Sequence, residues 1–244
     1  MRVVIGRNGR VGADRRRTKS NTKALIHKLV EKTKSAGLDD HNPFTEAWIL
    51  EAVSALRPFS DAWDDGDSRS IEEKEAILQG EIKKGQGGVS IAQYPASPYL
   101  TQLVVRALRK RGKLDRELEQ LVSDWSWKQL TRELSLAQTK SKSKDPFAFA
   151  YLLMLVTSVT PVSKISPERS SIQRAALQIV FDSQLPDGTW PLSRPLFHYP
   201  NFGNAYCYDY EMLTQLLLQS ELQDVLLDYL PKLSLAANAL ADNA

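Results

Sequence analysis

The sequence has a single cysteine, three histidines and three methionines among its 244 residues. One cysteine excludes an internal disulfide framework. The longest apolar run, residues 151–156 with their flanks, is far too short to cross a bilayer. The first ten residues lack an extended apolar stretch followed by a cleavage site, so no secretory signal is predicted. With 42% apolar and 25% charged residues, these absences predict a globular cytoplasmic protein.

The net charge of +3 conceals an uneven distribution, because residues 1–34 hold eleven Lys or Arg and two acids. Residues 1–19 are predicted to form a basic arm ahead of a helical domain over residues 20–244. A basic arm suits nucleic acid or another anionic surface, and Arg15, Arg16 and Arg17 are the candidate contacts. No zinc-finger spacing or interleaved aromatics occur in the arm, which favours the alternative of a solvated arm without a ligand.

A helix-start pattern recurs along the chain. Asn42-Pro43, Ser97-Pro98 and Asp145-Pro146 each join a strong N-cap residue to a proline suited to the first helical position. A fourth copy, Asn204-Ala205, lacks only the proline. In all four copies an aromatic residue follows the cap by two positions: Phe44, Tyr99, Phe147 and Tyr206. Six positions after the cap stands a large apolar or aromatic residue: Trp48, Leu103, Tyr151 and Tyr210.

More polar amphipathic segments separate the capped helices, at about residues 18–36, 70–84, 114–137 and 167–183. The second is predicted to begin with the capping box Ser70-Ile-Glu-Glu. Self-similarity at about 50 residues indicates stacked supersecondary units. The sequence therefore predicts an all-α fold of about four helix pairs, with apolar helices inside and polar helices outside. A further helix over residues 222–230 is predicted to stop at Pro231, and residues 233–241 are predicted to begin another unit.

A Pro-Asp-Gly turn stands between Gln184 and Trp190 and predicts a tight reversal that brings both residues back onto the helix ends. Together with Arg174-Ala175 and Ile179, it resembles the Gln–Trp repeat of squalene–hopene cyclases. The chain departs from that repeat by one additional residue before Gln184 and by Gln178 at a position where an aromatic residue is usual. The loop at residues 86–88, Gln-Gly-Gly, is similar to a reduced form of the turn.

The resemblance implies the α/α toroid of the terpenoid cyclase and protein prenyltransferase superfamily. Such a barrel closes with about six helix pairs, whereas four are predicted here. We therefore expect an open partial toroid, or one completed by a partner protein or an additional domain. The segment Lys140-Ser-Lys-Ser-Lys144 retains nothing of the turn and is predicted to be an exposed linker.

The catalytic motifs of the superfamily are incomplete in this sequence. Its acidic cluster, Asp61 with residues 64–67, does not reproduce the cyclase Asp-x-Asp-Asp motif and is predicted to be a surface loop. The prenyltransferase zinc ligands would be Asp-x-Cys with a later histidine, but Cys207-Tyr208-Asp209 has the reverse order and no histidine follows. No catalytic residue is assigned and no cofactor is predicted. Zinc or magnesium would enter only with an enzyme, the weak candidate ligands being Cys207, Asp209, Asp64 and Asp65.

Aromatic residues are dense after the turn, where they either pack between helices or line a pocket. The candidate contacts for a ligand or partner are Trp190, Arg194, His198, Tyr206, Tyr208, Asp209 and Tyr210. The favoured function is a non-catalytic binding or scaffold module that uses its concave face and this loop. The alternatives are a divergent prenyltransferase-like or terpene cyclase-like enzyme acting on an isoprenoid, and nucleic-acid binding through the basic arm.

Overall fold

The computed structural model describes residues 42–55, 65–91, 95–139, 145–160, 165–190 and 229–242, together with residues 24, 27 and 28. This part of the chain is all-helical, which confirms the predicted fold class at that level, while the toroid stays a prediction. Its helices are α1 (Pro43–Ala55), α2 (Asp65–Lys84), α3 (Pro98–Arg111), α4 (Arg116–Thr139), α5 (Pro146–Val159), α6 (Pro167–Asp182) and α7 (Leu230–Asp242). None of these helices combines the length and apolarity needed to cross a membrane.

The predicted helix starts are confirmed at α1, α3 and α5, each of which begins on a proline directly after its cap residue. Asn42 and Asp145 each accept a hydrogen bond from the backbone N–H two residues further on, at 3.0 Å. Ser97 accepts one from the N–H three residues on, at 3.4 Å. Ser166 caps α6 in the same way, at 3.2 Å, and is also followed by proline. Local chemistry therefore determines where these helices begin.

The predicted start of α2 is wrong, because the helix begins at Asp65, five residues before Ser70. Ser70 is buried inside the helix and is not its cap. Residues 65–67, predicted to be a surface loop, form the first turn. Acidic side chains in a first turn interact favourably with the exposed backbone N–H groups there, so this sequence tolerates the earlier start.

Pro231, where the helix over residues 222–230 is predicted to stop, is the second residue of α7. Residues 222–228 lie outside the described residues, whereas the segment 233–241, predicted to begin another unit, lies within α7. Proline is well suited to a first turn, since the N–H that it lacks would have had no partner within the helix. The predicted helix over 18–36 lies mostly outside the described residues; Ala24, His27 and Lys28 are helical and exposed. The predicted linker at 140–144 and the capped segment at 204–210 lie outside them entirely.

The contacts divide the chain into two compact units. The first unit comprises Met1–Gly80 and Leu103–Leu114, and the second comprises Glu81–Gln102 and Asp115–Ala244. The division falls within α2 and α3, so each of these helices contributes residues to both units. The predicted boundary between residues 19 and 20 stays a prediction.

In the second unit, α4, α5 and α6 pack against one another. Helix α5 is apolar on almost every side and ten of its 14 residues are buried, as expected of a helix enclosed by others. The rings of Tyr99 and Tyr151 meet edge to face, with their centroids 5.0 Å apart. Tyr99 follows its cap by two positions and Tyr151 follows its cap by six, so the two aromatic positions of the repeat, taken from successive capped helices, contact each other.

The end of α5 is joined to α4 by a small buried polar cluster. Thr160 Oγ1 accepts a hydrogen bond from the Trp127 indole N–H at 3.0 Å and shares another with the Ser123 hydroxyl at 2.8 Å. The Arg169 guanidinium lies over the Trp127 ring, 4.9 Å from its centroid. Satisfied buried hydrogen bonds of this kind fix the relative position of two helices.

The described helical part of the first unit contains α1, α2 up to Gly80, and α3 from Leu103. Its core is formed by buried aliphatic residues from all three helices: Leu50, Val53, Ile71, Leu78, Leu103, Val104 and Leu108. Buried acidic residues lie among them on α1 and α2, and their partners are described below.

Candidate functional site

The turn between Gln184 and Trp190 is the tight reversal predicted from the sequence. The backbone N–H of Leu185 donates to the Thr189 carbonyl at 2.8 Å, and that of Gly188 donates to the Leu185 carbonyl at 2.9 Å. Asp187 Oδ1 accepts from the Thr189 hydroxyl at 2.7 Å and from its backbone N–H at 2.9 Å. These hydrogen bonds, the hydroxyl one first, lower the pKa of the exposed Asp187 carboxyl below its usual value.

Gln184 ties this turn to α7. Its amide nitrogen donates to the Gly188 carbonyl at 2.9 Å, within the turn, and to the Lys232 carbonyl at 3.0 Å, in the first turn of α7. Lys232 returns the contact, because its ammonium donates to the Phe181 carbonyl at 2.9 Å, near the end of α6. Gln184 therefore joins the C-terminal end of α6 to the N-terminal end of α7.

Trp190 closes the other side of the turn. It is 2% exposed, and its indole N–H donates to the Val180 carbonyl at 2.7 Å. Its ring packs on Phe181, which in turn stacks on Tyr229 with the centroids 4.5 Å apart. The structure thus gives Trp190 a packing role in the turn, and its predicted contact with a partner stays a prediction.

Gly188 is required by this geometry. Its φ of +87° lies in the left-handed region that favours glycine. A Cβ built on Gly188 would also fall on the backbone carbonyl of Leu235 in α7. The turn therefore approaches α7 so closely that only a residue without a side chain fits between them.

The turn at residues 85–88 contacts its neighbouring helix in the same manner. Gly87 has φ of +106°, and a Cβ on it would fall on the backbone carbonyl of Leu121 in α4. Leu121 and Leu235 are each the sixth residue of their helices. Two turns, each at the end of a helix, thus place a positive-φ glycine against the sixth residue of a later helix.

The two turns differ in their side chains. Gln86 is exposed and has φ of +51°, and no bond like those of Gln184 is observed for it. The turn is fixed instead by Trp125 of α4, onto whose ring a Cβ at Gly88 would fall. The backbone N–H of Val89 then donates to the Thr101 hydroxyl at 2.9 Å. The two turns therefore share the contact between a glycine and a helix backbone, but they do not share the hydrogen bonds of the glutamine side chain.

Most of the predicted site residues lie outside the described part of the chain. These are Arg194, His198, Tyr206, Cys207, Tyr208, Asp209, Tyr210, Asp64, Arg15, Arg16 and Arg17. Asp65 is described and is an exposed residue at the start of α2. Among the described residues, no three His, Cys, Asp or Glu side chains come together as a metal site would require.

Sequence reasoning missed a network of ion pairs in the first unit. Glu51, on α1, binds Arg106 Nε at 2.7 Å and Lys110 Nζ at 2.5 Å. Glu75, on α2, binds Arg111 Nε at 2.7 Å and Lys113 Nζ at 3.2 Å. Acidic residues inside otherwise apolar α1, and a run of cations at the end of α3, were the available signals. Their pairing depends on the tertiary structure.

A third ion pair joins α1 to α2. Glu46 Oε2 lies 2.6 Å from Lys74 Nζ, and both side chains are 9% exposed. Glu46 Oε2 and Glu75 Oε2 are buried, and each lies close to a lysine ammonium, that of Lys74 and that of Lys113. In both contacts the angles are unsuitable for a hydrogen bond. The attraction of opposite charges, rather than hydrogen-bond geometry, therefore accounts for these two contacts.

An aromatic pair on α1, with Trp48 exposed and Phe44 half-buried, lies close in sequence to Glu51 of this network. The rings of Phe44 and Trp48 meet edge to face at 6.3 Å on α1, and Trp48 is 46% exposed. Trp48 precedes Glu51 by three residues, a spacing that makes them neighbours on a helix surface. The first unit therefore places a solvent-facing indole one helical turn from the carboxylate that holds Arg106 and Lys110.

Comparison of the chain with protein-family models, curated proteins and solved structures gave no match.

Proposed function

We propose that this protein is a non-catalytic binding module, a scaffold of stacked helix pairs that holds a partner protein. The supporting observation is the repeated glycine contact, Gly87 on Leu121 and Gly188 on Leu235. Backbone contacts of this kind hold the end of one helix at a short, fixed distance from the second turn of another. A regular array with fixed spacing presents an extended surface, which helical-repeat proteins commonly use for binding.

The motif that resembles the cyclase repeat also supports a structural role. Gln184 and Trp190 use their polar groups for hydrogen bonds to backbone carbonyls. In this proposal the turn positions α7 and the segment that follows Trp190, and the tyrosines at 206, 208 and 210 contact the partner. The isoprenoid-handling enzyme remains the alternative in a different class.

Native mass spectrometry of the protein purified from its own host, with metal analysis of the same sample, separates these alternatives. The proposal expects a co-purifying protein in fixed stoichiometry and no bound isoprenoid. A triple variant, Tyr206, Tyr208 and Tyr210 to Ala, should then lower the fraction in the complex. Leu136→Ala, which changes an exposed apolar residue of α4, is the control and should leave the complex intact.

A bound isoprenoid, or zinc or magnesium at one equivalent, would contradict the proposal and support the enzyme. In that case Cys207→Ser and Asp209→Asn become the informative variants, since both should release the metal or the lipid. A complex that is unaffected by the triple tyrosine variant would place the partner on another surface and remove the assigned role of this segment.

A further inference from the structure

The end of α3 carries an unusual concentration of positive charge. Five of the eight residues from 106 to 113 are Lys or Arg and none is acidic. Cations at the C-terminal end of a helix are favoured by its dipole, but this many repel one another unless anions lie close by.

Two nearly buried carboxylates organise these cations. The side chains of Glu51 and Glu75 are 9% and 3% exposed, and each binds one arginine and one lysine. Each carboxylate carries one negative charge and contacts two cations, so it does not by itself neutralise the lysine that it holds. The remaining positive charge faces solvent, because the side chains of Lys110 and Lys113 are 50% and 45% exposed. The buried carboxylates thus hold a preorganised cationic surface.

The neighbouring aromatic pair provides an independent observation. Trp48 exposes nearly half of its surface and is held edge to face by Phe44. It lies one turn from Glu51 on α1, and Glu51 holds Arg106 and Lys110. A solvated cationic surface next to an exposed indole combines electrostatic attraction with a flat stacking face.

We propose that this surface of the first unit, formed by Trp48, Arg106, Lys110 and Lys113, binds single-stranded nucleic acid. The lysines would contact phosphates of the backbone, and an unpaired base would stack on the indole. Proteins that bind single strands without sequence preference combine these two elements.

The aromatic component favours a single strand over the other anionic partners. In a duplex the bases are already stacked on one another, so an exposed indole has no free base face to contact. An acidic polypeptide would be attracted by the lysines but gains nothing from the indole that an aliphatic side chain would not provide. The basic arm at residues 1–19 is a different site, and the variants below leave it unchanged.

The test measures binding of the full-length protein to fluorescent 20-nucleotide strands of dT and of U by anisotropy, over a series of salt concentrations. In the double variant Lys110→Gln/Lys113→Gln each carboxylate keeps its arginine, so the helices stay paired. Each lost phosphate contact lowers the slope of log affinity against log salt by about 0.7. The double variant should therefore lose about 1.4 in slope and bind about 20-fold more weakly at 0.1 M salt.

Trp48→Leu removes the stacking face and keeps an apolar side chain against Phe44. We expect binding on the order of tenfold weaker, with the salt slope unchanged, because stacking displaces no counterions. The control is Lys84→Gln/Lys128→Gln, which removes two exposed lysines of the second unit and should bind as the unchanged protein does. Circular dichroism and unfolding midpoints of all variants confirm that they are folded.

Three results would overturn the proposal. The first is no binding of either strand by the unchanged protein at 0.1 M salt. The second is binding unaffected by both Lys110→Gln/Lys113→Gln and Trp48→Leu, which would assign it to another basic segment such as the arm. The third is competition by a 20-residue polyglutamate as effective as that by unlabelled dT, which would point to an acidic protein as the partner.

Discussion

The two units differ in the polar residues that they bury. Among the described residues, the buried charged side chains all belong to the first unit: Glu46, Glu51, Lys74 and Glu75. The buried polar residues of the second unit are uncharged: Thr101, Gln102, Ser123, Ser126, Thr160 and Gln173. The first unit aligns its helices by pairing opposite charges, whereas the second uses close backbone contact, aromatic packing and neutral hydrogen bonds.

This difference has consequences for stability. A buried ion pair contributes little net free energy, because desolvation offsets much of the attraction, yet removing one partner is costly. A glycine seated against a backbone carbonyl has no tolerance for added volume. The stability of the first unit should therefore fall when a buried charged side chain is neutralised. The stability of the second unit should fall when a side chain is added at one of its buried glycines. The following substitutions test this contrast, and all are measured as the free energy of unfolding in urea.

The largest effect is expected from Gly87→Ala in the second unit. The added Cβ meets the Leu121 carbonyl and the Trp125 side chain, and alanine is strained at this positive φ. A loss of about 3–5 kcal/mol is expected from the overpacking and the backbone strain together. Gly188→Ala should cost about 3 kcal/mol for the same reasons.

Gly112→Ala is the control for both glycine substitutions, since its φ is +69° but nothing lies within 4 Å of the new Cβ. It should lower the free energy of unfolding by only about 1 kcal/mol, the cost of placing an alanine in the left-handed backbone conformation. An equal loss of unfolding free energy at all three glycines would show that the positive φ alone accounts for the effect. It would contradict the close contact of the two turns with α4 and α7.

The next effect in size is expected from Glu75→Gln in the first unit. It removes the carboxylate charge that Arg111 and Lys113 share, at a site where the Glu75 side chain is only 3% exposed. A loss of about 3 kcal/mol is expected, at the low end of values for a broken buried pair because Lys113 is half exposed. The control is Glu117→Gln, whose pair with Lys83 is 3.5 Å long and well exposed. It should change stability by less than about 0.5 kcal/mol. If Glu75→Gln left the free energy of unfolding unchanged, the proposed dependence of the first unit on buried ion pairs would be wrong.

A somewhat smaller loss is expected from Trp190→Phe in the second unit. The change removes the indole N–H that donates to the buried Val180 carbonyl at 2.7 Å, and this carbonyl keeps only the longer bond from the Ser183 N–H at 3.3 Å. It also removes part of the packing on Phe181. Loss of a buried hydrogen bond together with ring contact is expected to cost about 2 kcal/mol. Trp48→Phe, at an exposed position, serves as the control and should change stability by less than about 0.5 kcal/mol. Similar losses for the two tryptophans would contradict the role assigned to the indole N–H.

The smallest effect has the opposite sign. Gly80 is exposed within α2, and a Cβ there meets no atom within 4 Å. Gly80→Ala should therefore stabilise the protein by about 1 kcal/mol, the difference in helix propensity. Lower stability would mean that α2 needs glycine where it passes from one unit to the other.

Part of the turn at 184–190 was accessible from the sequence and part was not. The reversal and the return of Gln184 and Trp190 follow from Pro-Asp-Gly chemistry, which is local. The atoms that they bind, the carbonyls of Lys232 and Val180, depend on where α7 lies and how α6 ends. The resemblance to the cyclase repeat and the binding role of the residues beyond Trp190 stay predictions.

The sequence by itself determined the starts of α1, α3, α5 and α6, because a capping side chain and a proline act on backbone groups within a few residues. The start of α2 escaped the same reasoning, since a short-range motif at Ser70 competed with an acidic first turn that was equally permissible. Only the tertiary structure decided that Glu51 and Glu75 would each hold two cations. It also placed Gly87 and Gly188 against distant carbonyls. Those contacts join residues about 35 to 60 positions apart, and no local property of the chain specifies such a pairing.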